Sequence, residues 1–168
     1  STSFEYDAAG NLLTRTDPTG RTTAYTYDAV GRILSTTSPA GGTWTRSYTP
    51  RGQVATEADP LGRTTAYAYD AKGRNITVTD PAGGVTTMAY DAADNLLEIV
   101  NPAGERTTMT YDGNNRMASL QRDDDPPTTF EYDGLGRVVA TTDPEGRSAT
   151  QVFDQLGRVV EALRPDGR

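Results

Sequence analysis

The sequence contains no cysteine and no histidine. Their absence excludes disulfides, a cysteine nucleophile, a histidine-based triad and imidazole or thiolate metal sites, and with them the common zinc and iron–sulfur patterns. Lysine is nearly missing as well: of 16 cationic residues only Lys72 is a lysine, and the arginines recur along the chain without gathering into a stripe. Acidic residues outnumber the cations 23 to 16, for a net charge of −7, and a chain of that sign repels a phosphate backbone. Nucleic acid is therefore not an expected partner. Insertion into a membrane is not expected either, since no stretch approaches the ~20 apolar residues of a span, and Ser1 to Tyr6 does not read as a signal peptide. Leu, Ile, Val and Phe together number 26 of 168 residues, about 15%, below the roughly 20% at which a charged chain tends to disorder. Order has to arise from something other than a large apolar core.

It arises from a repeat. Tyr6, Tyr27, Tyr48, Tyr69, Tyr90, Tyr111, Tyr132 and Phe153 are spaced by 21 residues, and Asp follows in every unit except the third, where Thr49 stands. Three residues after that acidic position come Gly10, Gly31, Gly52, Gly73, Asp94, Asn115, Gly136 and Gly157. Asp and Asn are the non-glycine residues that best tolerate a left-handed backbone, so this position is predicted to need a positive φ. A second marker follows ten residues after the first Asp, as in Asp17-Pro18-Thr19-Gly20, Asp59-Pro60-Leu61-Gly62, Asp80-Pro81-Ala82-Gly83 and Asp143-Pro144-Glu145-Gly146, with its Pro and Gly present in seven of eight units. Both markers share the form Asp-x-x-Gly, which predicts a type I turn closed by a left-handed bulge residue.

Between the turns lie short runs rich in Thr, Tyr and Val, such as Arg21 to Tyr27 and Arg32 to Thr37. Thr23, Tyr25 and Tyr27 alternate with Thr22, Ala24 and Thr26, which predicts a strand with one aromatic face and one small, polar face. The following run opens on an apolar doublet, Leu12-Leu13, Ile33-Leu34, Val54-Ala55, Leu96-Leu97, Val138-Val139 or Val159-Val160. Alternation predicts that each face receives one residue of the doublet. The expected fold is all-β: tandem 21-residue hairpins in a continuous antiparallel curved sheet, shell-like or solenoidal. Eight such units fill residues 1–168, and a start in mid-strand suggests a piece of a longer protein.

The units Tyr27-Asp28-Ala29-Val30-Gly31-Arg32, Tyr69-Asp70-Ala71-Lys72-Gly73-Arg74 and Tyr132-Asp133-Gly134-Leu135-Gly136-Arg137, followed by an Asp-Pro-x-Gly turn or, after the first, by Ser38-Pro39-Ala40-Gly41, resemble the YD repeats of the rearrangement hotspot (Rhs) family. The resemblance extends over the whole chain. It implies a bacterial, secreted or cell-surface protein whose repeats spiral into a hollow shell. In the bacterial members of the family that shell encloses a toxic C-terminal domain, released by an aspartyl autoproteolytic core region after the repeats. Neither that core signature nor a non-repeat segment is found here; the sequence runs to the turn Arg164-Pro165-Asp166-Gly167. The implied partners are other repeats of the same polypeptide and an enclosed client domain, or neighbouring copies edge to edge.

Nothing in this inventory nominates an enzyme or a cofactor. Asp7, Asp28, Asp70, Asp91, Asp112, Asp133 and Asp154 form a carboxylate array, but each opens the same turn, whereas a catalytic pair needs two unlike environments. Asp123, Asp124 and Asp125 replace the proline turn of the sixth unit and offer three carboxylates to a hard cation such as calcium, yet their spacing matches neither an EF-hand loop nor an RTX nonapeptide. Trp44, the single tryptophan, lies two residues from Arg46, which occupies a position held by Tyr, Phe or Met in most units. It either fills the packing gap beside Arg46 or presents a ring for a sugar. That second use goes with the alternative to a shell, an extracellular adhesion or filament-forming repeat protein.

Overall fold

The computed structural model describes residues 1–164, so of the turn expected at Arg164-Pro165-Asp166-Gly167 all but the first residue lies outside the described residues. Thr, Tyr, Val and Ile carry side chains that pack well on a pleated surface, and the runs rich in them are the strands. The chain forms two compact units, Ser1–Val85 and Thr86–Arg168. The first contains β1 (Ser3–Tyr6), β2 (Leu12–Thr16), β3 (Thr22–Tyr27), β4 (Ile33–Thr37), β5 (Thr43–Tyr48), β6 (Val54–Ala58), β7 (Thr64–Tyr69) and β8 (Asn75–Thr79). The second takes up β9 (Val85–Tyr90) from its second residue on, then β10 (Leu96–Val100), β11 (Arg106–Tyr111), β12 (Met117–Arg122), β13 (Thr128–Tyr132), β14 (Val138–Thr142), β15 (Ser148–Phe153) and β16 (Val159–Leu163). Within each unit every strand pairs antiparallel with the next, and no helix occurs among the described residues. The expected all-β array of tandem hairpins is what forms.

Register decides which side chains share a face. In the hairpin of β3 and β4, Thr26 opposes Ser35 while Tyr27 opposes Ile33, so Leu34 has no partner and forms a bulge. The same shift recurs at Leu13, Ala55, Ile76, Leu97, Ala118, Val139 and Val160. This corrects the expectation that the doublet divides between the faces. Ile33 lies on the face of its partner Tyr27, and counting back from Ser35, which sits opposite Thr26, puts Leu34 on that same face. The bulge interrupts the period of two where strict alternation would have sent one apolar residue to the polar side.

The other face is mostly Thr, Ser and Ala, with Glu5, Glu98, Glu131 and Glu161 among them. Hydroxyls meet there across the hairpins, Thr26 with Ser35 at 2.7 Å, Ser47 with Thr56 at 2.6 Å and Thr110 with Ser119 at 2.6 Å. On the aromatic face, the paired middle row differs between the units. It includes Tyr25 against Thr36 and Arg46 against Glu57 in the first, but Met88 against Ile99 and Met109 against Leu120 in the second. Within each unit strands touch only their sequence neighbours. Each unit is thus a single layer, and Met109, at 7% exposure, is the one buried apolar side chain among the described residues.

Candidate functional site

The repeated turn is built on one carboxylate. At Asp28 the main chain donates to the Arg32 carbonyl at 2.9 Å, and the Gly31 amide donates back to the Asp28 carbonyl at 3.1 Å. The Asp28 Oδ1 accepts the amides of Val30 and Arg32 at 3.0 and 2.9 Å, while Oδ2 accepts Arg32 Nε at 2.6 Å. A type I turn leaves these amides pointing inward, and the Asp side chain is short enough to reach them. The donated amide of Arg32 and then its guanidinium hold the Asp28 carboxyl below the usual carboxylate range, against the opposing effect of desolvation. Gly31 and Gly73 have φ of 82° and 87°, and Asp94 and Asn115 at the same phase have 72° and 59°, as the sequence predicted.

The proline turns repeat this chemistry. Asp59 Oδ1 accepts the amides of Leu61 and Arg63, and Oδ2 accepts Arg63 Nε at 2.6 Å. Pro18 and Pro60 follow the carboxylate directly, where the turn needs a φ near that of the ring and no amide hydrogen. Asn101 keeps the two amide contacts, from Ala103 at 2.9 Å and Glu105 at 3.0 Å, and donates its own amide group to Glu105. Where the residue after the closing position is Arg, it supplies the ion pair in both turn types, as Arg32 and Arg137 do to Asp28 and Asp133 and Arg63 and Arg147 do to Asp59 and Asp143. That spacing, Asp-x-x-Gly-Arg, is visible in the sequence, but the turn markers alone do not identify the arginine as the partner of the carboxylate.

A second set of contacts joins one repeat to the next. Tyr48 donates its hydroxyl to the Ile33 carbonyl at 2.7 Å, fifteen residues back. Tyr27 does so to Leu12, Tyr69 to Val54, Tyr111 to Leu96 and Tyr132 to Met117, all within 2.8–2.9 Å. Tyr90 donates to the Met88 sulfur at 3.8 Å, and Tyr6 is exposed. The Arg32 guanidinium lies 4.5 Å over the Tyr48 ring, as Arg116 does over Tyr132 and Arg137 over Phe153. Phe153 has no hydroxyl to donate but keeps the cation on its ring. Arg116 and Arg137 also donate to the carbonyls of Asp133 and Asp154, at 3.1 and 3.2 Å. Where the third unit has Gln53 in place of Arg, its amide donates to the Gly73 carbonyl at 2.7 Å, and Arg51 donates to the Ala71 carbonyl.

The remaining candidates are treated differently by the fold. Asp123 has a φ of 46° and brackets the backbone of Arg106, donating its amide to the Arg106 carbonyl and accepting the Arg106 amide on Oδ1, both at 2.7 Å. That carboxylate is engaged in closing β11 on β12. Asp124 and Asp125 are exposed, and among the described residues no group of three or more acidic side chains is placed to hold a metal ion. Trp44 lies on the same face as Arg46, two residues away along β5. It stays 48% exposed, while Arg46 Nε reaches Glu57 at 2.7 Å and Glu57 in turn accepts the Tyr67 hydroxyl at 3.1 Å. Trp44, Arg46 and Glu57 line an open groove of about 810 Å³ with Ile33, Leu34 and Arg63.

Comparison with known proteins follows the same lines. The chain resembles in fold a structure of the Photorhabdus luminescens Tc holotoxin pore, with a TM-score of 0.70 at 17% identity over 88% of this chain. It resembles the crystal structures of TcdB2-TccC3-Cdc42 and TcdB2-TccC3, with TM-scores of 0.56 and 0.57 at 16% identity over 97% of this chain. It spans only 9% of the first of those chains and 12% of the other two. No curated protein sequence matches it significantly. The RHS repeat pattern matches six overlapping stretches, 6–43, 48–87, 70–106, 90–128, 121–148 and 132–168. A repeat whose aromatic, carboxylate, glycine and arginine recur at fixed spacing and make the same contacts in most units, matched over nearly its full length, places the chain in the RHS repeat family.

Proposed function

We propose that this chain is part of the wall of a hollow shell that encloses a toxin or another client polypeptide, in a protein secreted or displayed at the cell surface, with no catalytic role of its own. Each of its eight 21-residue units is then one course of that wall. The observation that carries this reading is the single-layered hairpin ladder, in which the turn of one repeat grips the aromatic of the next. A wall of this kind excludes proteases and partners sterically, because its backbone donors and acceptors are engaged in strand ladders and turns. Its non-aromatic face, mostly Thr, Ser and Ala with four glutamates, offers little contiguous apolar surface to which an unfolded client would adhere. Membership of the RHS repeat family and likeness to toxin-complex structures support the same role.

Limited proteolysis of the longer protein tests it. The client should resist digestion while the repeats are intact and become sensitive when residues 22–63, two whole repeats that leave the strand phase unchanged, are removed. Equal digestion rates with and without those repeats would rule out enclosure.

A further inference from the structure

Five Asp-Pro bonds occur in the sequence, Asp17-Pro18, Asp59-Pro60, Asp80-Pro81, Asp125-Pro126 and Asp143-Pro144. In four of them the aspartate opens a turn and its carboxylate is engaged. Oδ1 accepts the amides of the residues two and four places on, at 2.8 and 3.1 Å for Asp17 and at 2.9 and 3.0 Å for Asp59. Asp80 and Asp143 make the same pair of contacts, and Arg21, Arg63 and Arg147 hold Oδ2 of Asp17, Asp59 and Asp143 as well. The fifth bond is out of phase. Asp125 stands where Gly20, Gly62, Gly83 and Gly146 close the turn, and its amide donates to the Arg122 carbonyl at 3.0 Å as theirs do to the opening aspartate. Its side chain therefore has no turn amides ahead of it to accept. Asp125 and Pro126 are both exposed, and among the described residues the Asp125 carboxylate has no hydrogen bond or ion pair. The other charged groups of the loop and its adjoining strands are Arg106, Arg122, Asp123, Asp124 and Glu131, of which Asp123 is engaged with the Arg106 amide at 2.7 Å.

We propose that the Asp125-Pro126 bond is an acid-labile scission site, the Asp-Pro bond that folding leaves open to attack by its own carboxyl group. A free Asp125 carboxyl oxygen reaches the main-chain carbonyl carbon of the same residue and closes a cyclic anhydride. The C–O bond forms as the C–N bond to Pro126 breaks, and the carboxyl proton passes to the proline nitrogen, which leaves as a secondary amine. One water then opens the anhydride, giving a C-terminal Asp125 with two carboxyl groups. The attack needs no encounter between separate molecules, so its rate is set by how freely the carboxyl can turn back on its own carbonyl. In the other four turns Oδ1 is held by two amides, and the turn must break first. Scission at Asp125 also falls on a short joint. β12 and β13 share two registered pairs, Ser119 with Thr129 and Leu120 with Thr128, whereas β11 and β12 share five and β13 and β14 four. A nick there leaves β13 to β16 attached to β12 by that short ladder alone. That the nick parts a shell rests on the wall reading; the scission itself does not.

The intact chain, with folding verified by circular dichroism, is held at about pH 4, near the ordinary Asp pKa, and its products are read by mass spectrometry. Fragments 1–125 and 126–168 should accumulate ahead of any other pair. In urea at the same pH, with the turns lost, all five bonds should be cut at similar rates. Asp125→Asn should slow scission of the folded chain by about a hundredfold, the low end of what a positioned acid contributes. Asp125→Glu, whose ring is larger and closes more slowly, should slow it as well, and neither change should move the melting curve. A folded chain cut equally at all five bonds, or first at another of them, would overturn the proposal. So would a 125–126 bond that stays intact in the folded chain while urea exposes it to cleavage, or undiminished scission of Asp125→Asn. None of these outcomes bears on enclosure, which is read from the protease sensitivity of the client.

Discussion

The guanidinium of Arg32 lies 4.5 Å over the ring of Tyr48, and the hydroxyl of that ring donates at 2.7 Å to the carbonyl of Ile33, the residue next to Arg32. One turn therefore holds the aromatic of the following repeat by its face and by its tip. Since the unit has no second layer to press the strands together, contacts of this kind carry much of the coupling between repeats. Tyr48→Phe should cost about 1 kcal/mol, the net value of one such hydrogen bond. Arg32→Met, which keeps the stem but loses the cation and the tie to Asp28, should cost more. The double variant should lose less than the sum, because both changes act at the same joint. Urea denaturation of the four proteins measures this, and strict additivity would show that the two contacts are independent.

Gly31 tests the backbone requirement. Its φ is 82°, and Val there should destabilise the chain by about 1–2 kcal/mol through left-handed strain. Gly31→Asn should be much milder, because Asn115 adopts a φ of 59° at the same phase of its own repeat. Equal melting temperatures for the Val and Asn variants would contradict this account of the turn.

Much of the fold was legible in the residues. The carboxylate that opens each turn, the glycine that closes it and the alternation of Thr23, Tyr25 and Tyr27 are short-range signals, and each maps directly onto a local hydrogen bond or a strand face. What escaped was set across strands. The bulge at Leu34 depends on how β4 meets β3, and its two flanking residues do not announce it, since an apolar doublet also suits unbroken alternation. The seat of Arg32 over Tyr48 joins residues sixteen apart in sequence, which a repeat period does not reveal. Trp44 and Arg46 stood out as departures from the pattern, but Glu57, which turns them into a polar site, became visible only through the pairing of β5 with β6.

The turn carboxylates make stability depend on acid. Asp28, Asp70 and Asp133 are held low first by the amide of the Arg four residues on, and Asp59 and Asp112 first by the guanidinium at that position. A carboxyl with a folded pKa below its unfolded value stabilises the fold fully above the unfolded value, near 3.9 for Asp, and loses that contribution as the pH falls through the folded pKa. The denaturation midpoint should therefore be flat around neutrality and drop below about pH 4. Asp28→Asn should fold, since Asn101 supports the same two amide contacts in its own turn, and it should show a smaller acid drop. Unchanged stability from pH 7 down to about pH 2 would remove the turns from the account.

Stability should also depend on how many repeats are present. Within the first unit β1 is paired on one side only, by β2, and all four of its residues are exposed. In the second, the five residues of β16 are likewise exposed and paired to β15. Between such ends lie strands whose apolar side chains are mostly half-buried, with Met109 alone fully covered among the described residues. A core of that kind gives each repeat little stability by itself, so most of it must come from the joint with the next repeat, as in other linear arrays. Two consequences follow from the same inequality. Amides of β1 should exchange hydrogen before those of β4 to β6, and amides of β16 before those of β11 to β13, a gradient set by distance from an open edge rather than by local sequence. The isolated 168-residue chain should be marginal or associate through its edges, because an open strand row is a template for pairing with another copy. Lengthening it with further repeats should raise the melting temperature in steps that shrink as the array grows, and the concentration dependence should fade. A chain that melts sharply at high temperature as a strict monomer, with β1 as protected as β5, would show that its edges are already closed.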